Sequence, residues 1–573
     1  MPPHDLAPRP ACPTRVAAVA RAAAVAAGIL TGIIAATAPG PAPAAARAPD
    51  EAPASGAAPN PAPGHTYCAE RDGALALGSA QWNGWGKSPD NTRYQPEPAI
   101  RATDVPKLAL KWAFGYAGAP GAGQPTLVDG RLFVASTSGR IYSLDAKSGC
   151  TYWTYDAGAG VHTGISIAEL AAQRHAAAPG KSRKGQHKLT NAHLEIIKAP
   201  CAALFGDDKG TVYALDAQSG ALLWKTQVES HPLARIEGST LHLGRLYVAV
   251  GSSEPESARD SGYGCCTFRG SVAALDVASG HIEWKSYLVS EEPRAVGTAG
   301  RGAPHFAPAG VPVVAAPTVD AARSLLYVAT GDESDPTLPQ PLADAVVALE
   351  LADGKVRWAK QLSAPQPGLA RIDSPPVLRT PATGHETLLV SQRSGMVYAL
   401  DPEHTGEVFW QSQAALPDAP SGIARGAAAD HRSLYVPLSG LDAEPPDAAG
   451  SLTAIDIRTG NRRWHIASPT TACSWTESTA CWHAQVQPVT VIPGAAFSGS
   501  MDGHLRAYST IDGKILWDYD TAKEYRTVNQ LPGAGGSLQA GGAIIVNGVA
   551  YVNSGGAQGQ PGNVLLAFSV NGQ

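Results

Sequence analysis

Among the side chains able to do chemistry, the cysteines show the clearest spacing. There are eight: Cys12, Cys68, Cys150, Cys201, Cys265, Cys266, Cys473 and Cys481. None opens a Cys-x-x-Cys-His run, so covalent attachment of a c-type haem is not expected. Cys473 and Cys481 flank a short loop and form a natural pair, whereas Cys265 and Cys266 are direct neighbours. His483 has no second nitrogen ligand at metal-binding spacing and reads as structural. Charged residues make up only 16% of the 573-residue chain and the net charge is -5. No global positive field would therefore recruit nucleic acid.

Redox compartment decides how those cysteines behave. Residues 22–38 are the only long uncharged apolar run, Arg15 and Arg21 precede it, and Ala44-Ala45-Ala46 offers small residues for cleavage. This order predicts a signal peptide over 1–46 and a Pro/Ala-rich linker over 47–67, with an uncleaved anchor as the alternative. Export would remove Cys12 and leave seven cysteines in an oxidising compartment. Most should then pair, with at least one thiol left over. The partner of Cys68 stays open. No later segment is expected to span a membrane.

A repeat supplies the scaffold. From residue 141 onward an apolar strand ends near Ala-Leu-Asp, a short polar turn follows, then Gly, then Trp four residues later. The copies end at Trp153, Trp224, Trp284, Trp358, Trp410, Trp464 and Trp517. Each is a hairpin in which Asp caps the turn, Gly takes the positive-φ position and Trp offers a flat face to a neighbouring unit. The Trp residues lie 52 (Trp358 to Trp410) to 74 (Trp284 to Trp358) residues apart, enough for a four-stranded sheet plus loops. Stacked sheets of this kind are propeller blades. The chain is thus expected to be all-β, an eight-bladed β-propeller over 68–573 with tryptophan-docking repeats. Its ring would be closed by an N-terminal strand, Leu108–Phe114 with Trp112, joining the last three strands.

The repeat, together with Trp82-Asn83-Gly84-Trp85-Gly86, the block Cys265-Cys266-Thr267-Phe268-Arg269-Gly270, Ala316-Pro317-Thr318 and the tail Phe497–Ala522, resembles the pyrroloquinoline quinone (PQQ) dehydrogenase superfamily. Within it, polyvinyl alcohol dehydrogenase and its relatives are the nearest resemblance. That resemblance implies PQQ and Ca²⁺ at the propeller axis. It places Glu256 and Asp332 as calcium oxygen ligands, which suits a hard cation. Arg269 and Arg393 would meet the quinone as cations, beside Ser253, and Cys265-Cys266 would form a ring giving a flat, polarizable surface near it. Asp373, just before Ser374-Pro375, would be the base. The alternatives are solvated acids, blade-to-blade ion pairs and cysteines paired elsewhere.

Three departures from the family pattern stand out: Val314 where a Trp lies under the quinone, Arg425 where a second Trp is expected, and a thin acidic run around Asp373. The implied activity is oxidation of secondary alcohols, polyvinyl alcohol-like substrates among them, by an exported periplasmic enzyme without haem c. Its electrons would pass to a separate periplasmic acceptor such as a cytochrome c. The basic stretch Arg174–Lys198 reads as a solvated insertion, or as a dock for that acceptor. The competing expectation is a non-catalytic propeller serving as a binding or assembly scaffold.

Overall fold

The computed structural model describes residues 67–68, 75–78, 81–170, 201–260, 262–299, 302–332, 340–362, 371–382, 384–416, 422, 426–440, 450–470, 482–556 and 560–573. The leader and linker, the 174–198 insertion, Arg425, Cys473 and Cys481 lie outside these residues.

Eight antiparallel four-stranded sheets form an eight-bladed β-propeller. Blades 1 to 7 each use four successive strands, over 121–156, 166–227, 234–287, 318–361, 377–413, 428–467 and 490–520. Blade 8 is composite. Leu108–Gly115 pairs with Val564–Val570, which continues through Val549–Ser554 to Ile544–Val546. The expected closure by the first strand is present.

Turn chemistry explains why each hairpin forms. The Asp145 carboxylate accepts from the backbone N–H of Lys147 (3.1 Å) and Ser148 (2.8 Å), and Asp216 and Asp276 repeat this at Ser219 and Ser279. The following glycine has two duties. Gly280 adopts φ 72, and a Cβ there would lie 2.5 Å from ring carbons of Trp224 in the preceding blade. Docked indoles also donate across the blade gap, Trp153 to Ala217 O (3.1 Å) and Trp224 to Val277 O (3.0 Å). Trp517 donates to Leu108 O at 3.0 Å, which ties blade 7 to the closing strand. The apolar core is accordingly a series of clusters between neighbouring blades.

The innermost strands present an unpaired edge to the axis, and residues 82–98 bond to seven of the eight blades. Trp82 pairs with Leu127 in blade 1, and the Asn83 side chain bonds both N and O of Ile167 in blade 2. Carbonyls of Pro89, Asp90, Thr92 and Arg93 then accept from Val319, Leu378, Ala429 and Val491 in blades 4 to 7. Pro98 accepts from Gly548 in blade 8. The segment therefore makes one circuit of the axis, in blade order.

Two disulfides occur among the described residues. Cys68 bonds Cys150, and Cys265 bonds its neighbour Cys266. Cys201 is the buried thiol left over. No helix of the described residues is long and apolar enough to cross a membrane.

Candidate active site

The axial circuit and the inner strands enclose a cavity of about 50 Å³. Trp85 of the circuit lines it, with His162–Gly164 from blade 2, Glu237–Ser239 from blade 3, Val314–Ala316 from blade 4, and Asp373 and Pro375 from blade 5. Most of the wall residues lie just before the inner strands, where backbones converge on the axis, and Glu237–Ser239 lie within one (Ala234–His242).

Asp373 is the centre of charge. Arg371 Nε donates to its Oδ1 at 2.7 Å and Arg393 Nη1 to its Oδ2 at 3.3 Å. Its side chain is only 12% exposed, so both contacts are weakly screened. Burial opposes the charge on Arg371, yet the carboxylates of Asp373 and Asp332 outweigh it and raise its pKa. The structure thus brings Asp373, Arg393 and Asp332 into one electrostatic cluster, with Arg371 at its middle.

The remaining expected residues cluster on the crest of blade 3. Ser253 precedes the short helix Glu254–Ser257, its N–H bonded to Leu233 O at 3.0 Å, and Glu256 on that helix is exposed. Glu254 is the buried acid there, accepting from the N–H of Thr267 (2.8 Å) and Phe268 (2.9 Å). Those bonds hold the loop that carries Cys265-Cys266. Arg269 lies with its guanidinium 4.1 Å from the Tyr287 ring centre and donates to Val289 O and Ser290 O. His483 bonds buried Asp502 at 3.2 Å, the structural role expected of it.

Three contributors escaped the sequence reading. Glu237 is the bulged residue where the pairing register shifts between Ile236 and Gly238, which turns it into the cavity. Gly251 makes room for it, since a Cβ there would meet Glu237 Cγ at 2.6 Å. Arg371 and Trp85 are the others, the first lying two residues before Asp373 and the second inside the Trp82–Gly86 motif.

A PQQ-type "Glucose/ethanol/alcohol dehydrogenase, beta-propeller domain" profile matches residues 82–366, and an "Outer membrane protein assembly factor BamB" profile matches 268–481. Polyvinylalcohol dehydrogenase from a Pseudomonas species is 38% identical over 522 residues, covering 86% of this chain and 77% of the relative. The chain belongs to the polyvinyl alcohol dehydrogenase family of PQQ-dependent dehydrogenases. The family member from Sphingopyxis is likewise 38% identical, over 88% of this chain and 79% of its own. Among solved structures, the quinohemoprotein alcohol dehydrogenase of Comamonas testosteroni superposes with a TM-score of 0.61 at 17% identity, covering 86% of this chain and 81% of its own. At that identity the likeness speaks to the fold. Family membership makes the chain a PQQ-dependent oxidoreductase of the alcohol dehydrogenase kind.

PQQ is a planar, anionic quinone, and the axial cavity offers one aromatic ring of that breadth, Trp85, beside the carboxylates of Glu237 and Asp373; Arg371 and Arg393 contact Asp373 but do not line the cavity, so this lining alone does not fit the cofactor. The calcium expectation meets a similar limit. Among the described residues, no three His, Cys, Asp or Glu side chains gather as a metal-binding group, and Glu256 and Asp332 share none.

Proposed function

We propose that this enzyme is an exported dehydrogenase that oxidises secondary hydroxyls, with polyvinyl alcohol-like chains as the substrate class. It would hand its electrons to a separate periplasmic acceptor. The division into a leader (1–46), a linker (47–67) and a propeller (68–573) belongs to the same reading. The observation that carries it is the 38% identity to named polyvinyl alcohol dehydrogenases across most of the chain. Bound PQQ supplies a two-electron acceptor for hydride from the carbinol carbon. The chain supplies the rest. Asp373 takes the hydroxyl proton on Oδ2, and Arg371 and Arg393 fix that carboxylate in direction. Arg393, 43% exposed, has its guanidinium at the rim of this cluster and can also face an anionic cofactor oxygen.

Calorimetric titration of PQQ into the mature protein, with and without Ca²⁺, tests the reading. Binding near one PQQ per chain, followed by turnover of secondary alcohols, is the expected result. No binding under either condition overturns it and leaves a propeller scaffold. A dependence on Ca²⁺ would place the missing ligands outside the described residues.

A further inference from the structure

Resting on the oxidation proposed above, we infer that His162 is the proton exit of this site: it receives the proton that Asp373 removes from the alcohol and passes it to solvent. Each hydroxyl turned into a carbonyl yields two electrons for the acceptor and two protons, and the protons need a way out. The axial cavity suits that task. At about 50 Å³ it has room for on the order of one to three waters. Three titratable side chains line it: His162, Glu237 and Asp373. Asp373 is 12% exposed, whereas the His162 side chain is 50% exposed, so the imidazole meets both the cavity and bulk water. Imidazole is also the side chain that gives and takes protons near neutral pH.

The ring is held in place rather than left as a loose surface side chain. Its Nε2 lies 3.1 Å from Asp208 Oδ2. With Nε2–H directed at that carboxylate, the Nδ1 lone pair is the one left to accept a proton. Asp208 is then the counter-ion of the imidazolium that results. The two partners come from different loops of blade 2, and backbone bonds join those loops. Asp208 N–H donates to Gly160 O at 2.9 Å, and Thr163 Oγ1 bonds both the N–H (3.1 Å) and the C=O (3.2 Å) of Gly206. His162 is thus pinned from both sides. Gly160 leaves room for the carboxylate, since a Cβ there would run into Asp208 Oδ2. Every charged side chain that lines the cavity or pairs with the ring is acidic: Asp208 from blade 2, Glu237 from blade 3 and Asp373 from blade 5. Arg371 and Arg393 lie behind Asp373, outside the lining. The carboxylates favour a proton moving between cavity and solvent.

Two measurements test this. The first needs no cofactor: diethylpyrocarbonate labelling of His162, read on its own peptide by mass spectrometry. Asp373→Asn removes a negative charge across the cavity and leaves more of the ring neutral and reactive. Labelling at pH 5.5 should therefore run about 1.5- to 2-fold faster than in the wild type, with equal rates at pH 8. Equal rates at both pH values show that the two groups do not communicate and overturn the assignment. The second measures kcat for a secondary alcohol in the PQQ-loaded wild type, His162→Gln and His162→Ala, with imidazole added to the buffer. Gln can still bond Asp208 but carries no proton. Both variants should lose about 10- to 100-fold in kcat with KM within about twofold, and imidazole should restore His162→Ala by about fivefold or more. A merely structural His162 would lower the thermal midpoint and lose activity that imidazole cannot return. A kcat within about twofold of the wild type, or a loss that imidazole leaves unrestored, overturns the assignment while leaving the enzyme a PQQ protein. If the wild type itself binds no PQQ, the functional reading falls and this assignment with it.

Discussion

Asp373 is a carboxylate with both oxygens engaged by guanidiniums, at 2.7 and 3.3 Å. Such a group is held in one orientation, so a hydroxyl must approach it along a free lone pair. Asp373→Asn keeps the size and some hydrogen bonding but removes proton acceptance. Steady-state kinetics on a secondary alcohol should show kcat lower by about 100- to 10,000-fold. PQQ affinity should stay within about threefold. Loss of less than tenfold in kcat would show that Asp373 is not the base. At this scale the sequence was half readable. Asp373 announced itself by standing before Ser374-Pro375. Glu237 gave no signal, because a bulge is one extra residue in a pairing register that only the folded sheet defines. Arg269 illustrates the opposite problem: its motif was visible, yet the direction of its side chain depends on Tyr287, which arrives from the next strand.

The repeating hairpin was the most legible element, since Asp, Gly and Trp each do a job that no other residue does as well. The stacking of glycine on the preceding indole was not foreseen in full. Turn geometry alone asks for positive φ at Gly280, but the sheet adds a steric demand from Trp224, 2.5 Å from any Cβ. Two penalties therefore act together in Gly280→Ala. We expect a loss of about 2–4 kcal/mol, read as a lower urea midpoint with an unchanged m-value. A matched Gly→Ala change at Gly244, also at positive φ (78) but with open space around its Cβ, should cost about 1 kcal/mol. Equal costs at the two sites would mean that indole contact contributes nothing.

For the molecule as a whole, eight blades and their closure could be read from period and chain ends, but the circuit of residues 82–98 could not. Of its bonds to seven blades, those to six run through the backbone, and backbone contacts leave no residue pattern; the Asn83 side chain makes the seventh. The partner of Cys68 was hidden for a similar reason: Cys150 lies 82 residues away, in the first repeat turn. A cross-link of that span should stabilise the propeller by about 2–4 kcal/mol. The double variant Cys68→Ser, Cys150→Ser should therefore unfold at lower denaturant while Cys201 remains the same buried thiol. An unchanged midpoint would make the bond dispensable. The strand Leu108–Gly115 carries one more implication, which concerns time. Its hydrogen-bond partner, Val564–Val570, begins 449 residues after this strand ends. At ordinary elongation rates roughly 20–90 s separate the two. Throughout that interval the chain carries an apolar strand with no sheet to join, so the last blade cannot close before Val564–Val570 has been made. Until then that early strand must be kept from meeting the wrong edge.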